Sequence, residues 1–264
     1  MNRRLLALLA VVGLLTLSGC LGGLGGGPTN PDRLDESPEA AYNWNASSDV
    51  HVTVTSNVTY HAVYDVSAEP FGDQIRLARA GFLGTDEPLT ISALRYRYPN
   101  GTVVNGSAFA DHGGDVRTQD NHLVIEPPGD DGRLAYSGES TPKQFTHPIA
   151  VEEGSYTVVL PENREASIPL FGRIVPAPDS TTTVDDRLTI GWEQISGETL
   201  SVRFYLPRDV QLFAGLFAGM LGVGAAGVVY YRRQIRKLRE RREEMGLDVD
   251  IDYDDDDEPP PGMR

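Results

Sequence analysis

Between residues 48 and 206 the chain alternates apolar and polar positions in short runs with a period of two. Val50, Val52 and Val54 face one way while His51, Thr53 and Thr55 face the other, and Leu94, Tyr96 and Tyr98 alternate with Arg95 and Arg97. The pattern recurs at Tyr156, Val158 and Leu160, at Leu188, Ile190 and Trp192, and at Leu200, Val202, Phe204 and Leu206. Such alternation is the signature of half-buried strands, and no amphipathic helix of comparable clarity lies between them. Turn residues break the runs. Pro99-Asn100-Gly101 reads as a hairpin turn, because Asn and Gly tolerate positive φ, and Asp130-Asp131-Gly132 and Ser196-Gly197 mark further breaks. Roughly nine or ten short strands are predicted, implying a mainly β, antiparallel, immunoglobulin-like β-sandwich. Glu152-Glu153-Gly154-Ser155-Tyr156 fits either the approach to a tyrosine corner or an exposed turn leading into a strand. Residues 73–84 fit either a short helix or an edge strand.

Two uninterrupted apolar stretches flank this region and obey neither period. Near the N-terminus, Arg3 and Arg4 precede an apolar run over residues 5–17 that is too short to span a bilayer and has signal-peptide length. It closes on Leu17-Ser18-Gly19-Cys20, a lipobox in which Cys20 would be lipidated and become the mature N-terminus. Near the C-terminus, residues 210–231 hold Gln211 as their one strongly polar side chain. As a helix rising about 1.5 Å per residue they reach about 33 Å, enough to cross a hydrocarbon core of about 30 Å. Arg232, Arg233, Arg236, Lys237, Arg239, Arg241 and Arg242 follow, with Tyr230 and Tyr231 at the boundary. This positive-inside signal and aromatic belt predict an outer N-terminal side and a cytoplasmic C-terminus.

The expected organisation is a lipoprotein signal peptide at 1–19 and a flexible lipidated tether at 20–40, whose root-mean-square reach would be roughly 25 Å. An extracytoplasmic β-rich domain at 41–209 and a transmembrane helix at 210–231 follow. A basic juxtamembrane helix at 232–246, stopped at Gly246, leads into an acidic, Pro-containing disordered tail at 247–264. Within the membrane helix, Gly215, Gly219 and Gly222 form part of a small-residue ridge that suits close helix packing, or reflects the tolerance of lipid for small residues. The sequons at Asn45, Asn57, Asn100 and Asn105 all fall on the outer side and are candidate N-glycosylation sites.

Charge narrows the choice of partner. The net charge is −15, and residues 21–209 alone carry 27 acidic against 13 basic side chains, a net of −14. Nucleic acid is therefore not an expected partner, since phosphate binding needs clustered Lys and Arg. Lys143 and Lys237 are the only lysines beside 21 arginines. With the acid excess this points to a salt-rich environment, although a GC-rich genome would produce the arginine bias by itself. The single cysteine excludes an internal disulfide framework and a Cys-based zinc site.

No catalytic signature is present: there is no G-x-S-x-G elbow, H-E-x-x-H or Walker sequence. His51, His61, His112, His122 and His147 lack close metal spacing. His51 and His61 can meet on adjacent strands but read as solvent-face residues, and Asp111-His112-Gly113-Gly114-Asp115 reads as a solvated turn. No catalytic residue, metal ligand or cofactor is assigned, and the protein is not expected to be an enzyme.

The lipobox, Arg97-Tyr98-Pro99-Asn100-Gly101-Thr102, Gly154-Ser155-Tyr156, and the terminal helix leading into Tyr230-Tyr231-Arg232-Arg233-Gln234-Ile235-Arg236 together resemble a family of haloarchaeal membrane lipoproteins carrying a domain of unknown function. The resemblance implies a cell-surface setting and supplies no activity, substrate or site. The leading expectation is a noncatalytic, doubly anchored surface module that binds or organises an envelope component. Its partners would be membrane lipid and another envelope or membrane protein, or a second copy through the membrane helix. The alternative is a transmembrane signal transmitter coupling the outer domain to the cytoplasmic tail, and an envelope enzyme is the third choice.

Overall fold

The computed structural model describes residues 29–81 and 84–246. Cys20, the expected signal peptide and the acidic tail therefore lie outside the described residues. The chain divides into two units, one reaching Pro207 and one beginning at Arg208.

The first unit is mainly β, with fifteen strands in three sheets among the described residues. Its largest sheet holds eight: β1 (Val50–Val54), β2 (Thr59–Asp65), β5 (Ile91–Arg97), β6 (Val103–Asn105), β9 (Arg133–Glu139), β11 (Tyr156–Glu162), β13 (Ser180–Val184) and β14 (Arg187–Trp192). Their order is β13-β14-β11-β1-β2-β9-β5-β6. A second sheet orders β10 (Gln144–Pro148), β15 (Thr199–Arg203) and β12 (Arg173–Val175) as β10-β15-β12. A third orders β3 (Ile75–Ala80), β4 (Asp86–Pro88), β7 (Asp115–Gln119) and β8 (His122–Glu126) as β4-β3-β8-β7.

The mainly β expectation holds, with two differences. The strands form three sheets, and β1 pairs with β11 in parallel, Val52 opposite Val158, so the large sheet is mixed. A parallel pair needs a long crossover, and here nine strands intervene between the two partners. The ambiguous segment at 73–84 holds β3, paired on both sides by β4 and β8, which makes it an interior strand.

One core joins the three sheets. Val50, Val52, Val54, Tyr60, Ala62, Tyr64, Leu134, Tyr136, Tyr156, Val158 and Ile190 enter it from the large sheet, Phe145, Leu200 and Val202 from the second, and Ile75, Leu77, Leu123 and Ile125 from the third. Burial of each such aliphatic or aromatic side chain contributes about 1.5–3 kcal/mol before entropy is charged against it. Glu152 and Glu153 form an exposed turn leading into β11, and the buried Tyr156 hydroxyl accepts the Val151 N–H at 3.0 Å, so the segment has features of both readings. Turn chemistry also holds at Pro99-Asn100-Gly101, where β5 pairs with β6 and Gly101 has φ +88°. Two other hairpins use two-residue loops without glycine. Asp120-Asn121 and Asp185-Asp186 take positive φ at both positions, which Asp and Asn tolerate better than other side chains.

Residues 30–46, which lead into β1, pack on the domain through Leu34 and Tyr42, so the tether boundary expected at residue 40 falls inside folded structure. A short helix, α1 (Pro31–Leu34), begins with Asn30 accepting the Asp32 N–H and with Pro31 at its first position. Leu34 is buried in the core, and a Cβ on Gly106 would stand 2.8 Å from the Leu94 Cβ and 3.0 Å from the Leu34 Cβ. Glycine there is what lets α1 approach β5. Arg95 secures the contact: its guanidinium donates to the carbonyls of Leu34, Leu94, Asp35 and Glu36 at 2.6–3.0 Å. Further along, Arg133 donates to the Ala46 carbonyl at 2.7 Å. Residues 30–46 are thus a strap pinned at both ends by arginines.

Among the described residues the second unit is formed by one helix, α2 (Pro207–Glu244), which opens on Pro207, the last residue of the first unit. Gly246 follows with φ +61°, the left-handed conformation expected of a helix-stopping glycine. The helix is long and apolar enough to cross a membrane, and none of its most apolar stretch is buried. A Cβ added at Gly215, Gly219 or Gly222 would meet no atom within 4 Å.

Candidate functional site

Period-two alternation gives the large sheet a second face, opposite the main core. Where Val50, Val52 and Val54 enter the core, His51 and Thr53 point to this second face, and where Tyr60, Ala62 and Tyr64 enter it, His61 and Val63 do the same. Ala135 and Ser137 join them from β9. Ala93 joins from β5 at an irregularity in the β5–β9 register, where its φ is +52°. The strap covers part of this face: Tyr42, Val63, Ala93 and Ala135 form a small second cluster with Trp44 packed against it. His51 and His61 are therefore 8% and 3% exposed, which corrects the reading of both as solvent-face residues.

Hydrogen-bond accounting fixes the proton positions beneath the strap. The Tyr42 hydroxyl donates to the Ala93 carbonyl at 2.6 Å, so its oxygen receives the Ser137 hydroxyl proton at 3.0 Å. Ser137, its one proton given away, accepts from Nδ1–H of His61 at 2.9 Å. Neutral His61 is then the Nδ1–H tautomer, and its Nε2 lone pair is buried without a hydrogen-bond partner. The Tyr42 and His61 rings meet edge to face at 5.5 Å. His51 Nε2 lies 3.3 Å from Asn43 Nδ2 and 3.2 Å from Thr53 Oγ. Burial pushes the pKa values of both imidazoles down. Arg187 and Arg133 push His51 further, while Glu39 partly offsets the effect at His61. Burial likewise raises the Tyr42 hydroxyl to about 12.

Beside the strap this face opens into a groove of about 740 Å³. Its lining includes His51, His61, Thr53, Thr55, Glu162 and Arg187, with Asn43 of the strap on one wall. Arg187 is already engaged, donating from Nε to the Leu160 carbonyl at 3.0 Å. Hydroxyl, amide and imidazole groups predominate, so the groove suits a polar ligand held by hydrogen bonds. Ser137 itself is not set up as a nucleophile activated by His61, because its proton goes to Tyr42 and His61 donates to it when it would have to accept. No group of three His, Cys, Asp or Glu side chains among the described residues could hold a metal ion.

Of the residues singled out from sequence, the groove gathers only the two histidines. Asn45, Asn57, Asn100 and Asn105 are all exposed, with the Asn57 amide bonded to Glu39 and the Asn100 side chain accepting the Thr102 N–H. His112 lies in an exposed turn. His147, given no role from sequence, is fully buried, its Nε2 3.0 Å from the Tyr136 hydroxyl and 3.3 Å from that of Tyr64. The signal for it was present: Phe145, His147 and Ile149 alternate on one face. Burial lowers the His147 pKa to about 4, with the Pro148 carbonyl opposing the shift.

Among solved structures the chain is similar to the M1 zinc metallopeptidase from Deinococcus radiodurans, at 13% identity and a TM-score of 0.28, over 59% of this chain and 40% of that one. A mutant of the same enzyme bound to a Tyr-Ser-Ala substrate matches at the same identity and TM-score, over 59% of this chain and 41% of that one. The chain thus spans about two fifths of the length of the structures it matches. No curated protein matches it. Residues 46–250 match the model of DUF5803, a family of unknown function, and the chain belongs to that family.

Proposed function

We propose that the protein is a noncatalytic, membrane-anchored surface module whose β domain binds or organises an envelope component. The observation that carries this reading is α2, a helix long and apolar enough to span a bilayer with none of its most apolar stretch buried. In water so much exposed apolar surface would aggregate, whereas in lipid it is at its free-energy minimum. In this account Cys20 carries a lipid, the setting is haloarchaeal, and the β domain, an elaborated relative of the immunoglobulin-like sandwich, stands outside the cell. The arginines after Tyr231 keep the C-terminus in the cytoplasm. The polar groove beside the strap is the favoured binding surface, and Gly215, Gly219 and Gly222 form the face through which α2 meets a membrane partner.

Site-specific labelling tests the topology. With Cys20→Ser as background, Ser196→Cys should react with a membrane-impermeant maleimide on intact cells, and Met245→Cys should react only after lysis. The reverse pattern would overturn the reading.

A second reading, transmission across the membrane, draws on one observation: Tyr205 is still bonded to Glu165 through the backbone, and α2 begins at Pro207. So short a connection leaves little slack. Inserting six Gly/Ser residues after Asp209 should then uncouple the protease sensitivity of residues 232–246 from crosslinking of the outer domain. Transmission is wrong if the wild-type segment never responds to crosslinking.

A further inference from the structure

Six strands stand at sheet edges among the described residues, and five of them are protected in recognisable ways. Strands β4, β6 and β12 have three residues each, β10 ends on Pro148, and β7 carries Asp115 and Arg117, which pair with each other at 2.8 Å. The sixth, β13, has no such device. Its five residues, Ser180-Thr181-Thr182-Thr183-Val184, include no charge and no proline, pair with β14 in unbroken register, and are all exposed. A regular, uncharged, β-branched edge of this length is a template for another strand.

We propose that β13 pairs antiparallel with β13 of a second copy of this chain, about a two-fold axis through Thr182. The strand is complementary to itself in that register. Thr182 falls opposite its own copy, Thr181 opposite the partner's Thr183, and Ser180 opposite the partner's Val184, so that no charged pair lies within the strand. Threonine pairs are favourable cross-strand neighbours, and a two-fold axis closes the interface and leaves no free edge to propagate. The same register brings Asp179 opposite the partner's Asp185, so pairing should strengthen as salt screens that repulsion. A contact of five residues falls short of the roughly 1,200 Å² of a standard stable interface. It therefore needs copies held at high local concentration, as chains sharing one membrane through α2 would be, and in this the inference rests on the membrane-anchored reading.

The test uses the full chain with Cys20→Ser, so that an introduced thiol is the sole cysteine, reconstituted into phosphatidylcholine vesicles. Flotation first reports membrane binding. A chain that fails to float overturns the membrane reading alone, and the crosslinking is then run in solution at about millimolar chain, the effective concentration of tethered modules. Opposed residues of paired strands have Cα atoms about 4.5–5.5 Å apart, within the roughly 4.4–6.8 Å range of a disulfide. Thr182→Cys should therefore give a covalent dimer on mild oxidation, with yield rising with salt. Thr181→Cys and Thr183→Cys should each give roughly tenfold less alone, because a two-residue offset exceeds disulfide reach, and should crosslink when mixed. Adding Thr183→Lys to Thr182→Cys should suppress the dimer. Failure of Thr182→Cys to crosslink, or equal crosslinking at all three positions, would overturn the proposal.

Discussion

His147 shows how a single side chain ties this fold to pH. It stacks on Tyr136 with ring centroids 6.3 Å apart, and its Nε2 faces two tyrosine hydroxyls in a fully buried pocket. Only the neutral imidazole fits there, so its pKa falls from 6.5 in the unfolded chain to about 4. Between those values the unfolded state binds more protons. The contribution is therefore fully present above pH 6.5 and is lost as pH falls toward 4, by about 2–3 kcal/mol at pH 4.5. His51 and His61, also pushed down by burial, act in the same direction. Urea unfolding at pH 7.5 and 4.5 should show wild type losing about 2–3 kcal/mol more between the two than His147→Phe does. Equal losses in both proteins would contradict the buried neutral imidazole.

At the scale of elements, Arg95 makes the strap a distinct unit. Its guanidinium is bonded to three carbonyls at the end of α1, those of Leu34, Asp35 and Glu36, and hydrogen bonds to a charged group contribute about 1.5–3 kcal/mol. Arg95→Met keeps the aliphatic stem and removes those bonds. Hydrogen exchange in residues 30–46 should rise by a factor corresponding to that energy while β1, β2 and β9 stay protected. Unchanged exchange in the strap would show that Leu34 and Tyr42 hold it unaided. Much of this scale was legible in the sequence. Strands β1, β5, β11, β14 and β15 turn their large apolar side chains to the main core and polar ones to the other face, so their apolar positions alternate. Strands β2 and β9 are buried on both faces and lose the alternation, the three-residue strands are too short to show it, and β13 buries nothing. The groove was hidden for another reason. His51 and His61 occupy positions that alternation assigns to solvent, and the strap residues beside them, Asn43 at His51 and Tyr42 at His61, belong to a segment whose packing against β2, β5 and β9 leaves no periodic trace.

For the whole molecule, charge and apolar surface make separate demands. Residues 21–209 carry a net −14, and few of the acids are paired: six ion pairs are found among the described residues, and most involve exposed side chains. The domain should therefore lose stability as salt is lowered and its self-repulsion is less screened, seen as a falling thermal midpoint from multimolar to dilute salt. A midpoint independent of salt would remove the salt-rich setting from this account. The apolar surface of α2 makes the opposite demand, for lipid in place of water. Its consequence is read most directly by alkaline carbonate extraction of membranes from cells producing the full chain with Cys20→Ser. Since that substitution leaves no thiol for a lipid to attach to, residues 210–231 should by themselves hold the protein in the pellet. Recovery of the intact Cys20→Ser protein in the supernatant would contradict the membrane-anchored reading.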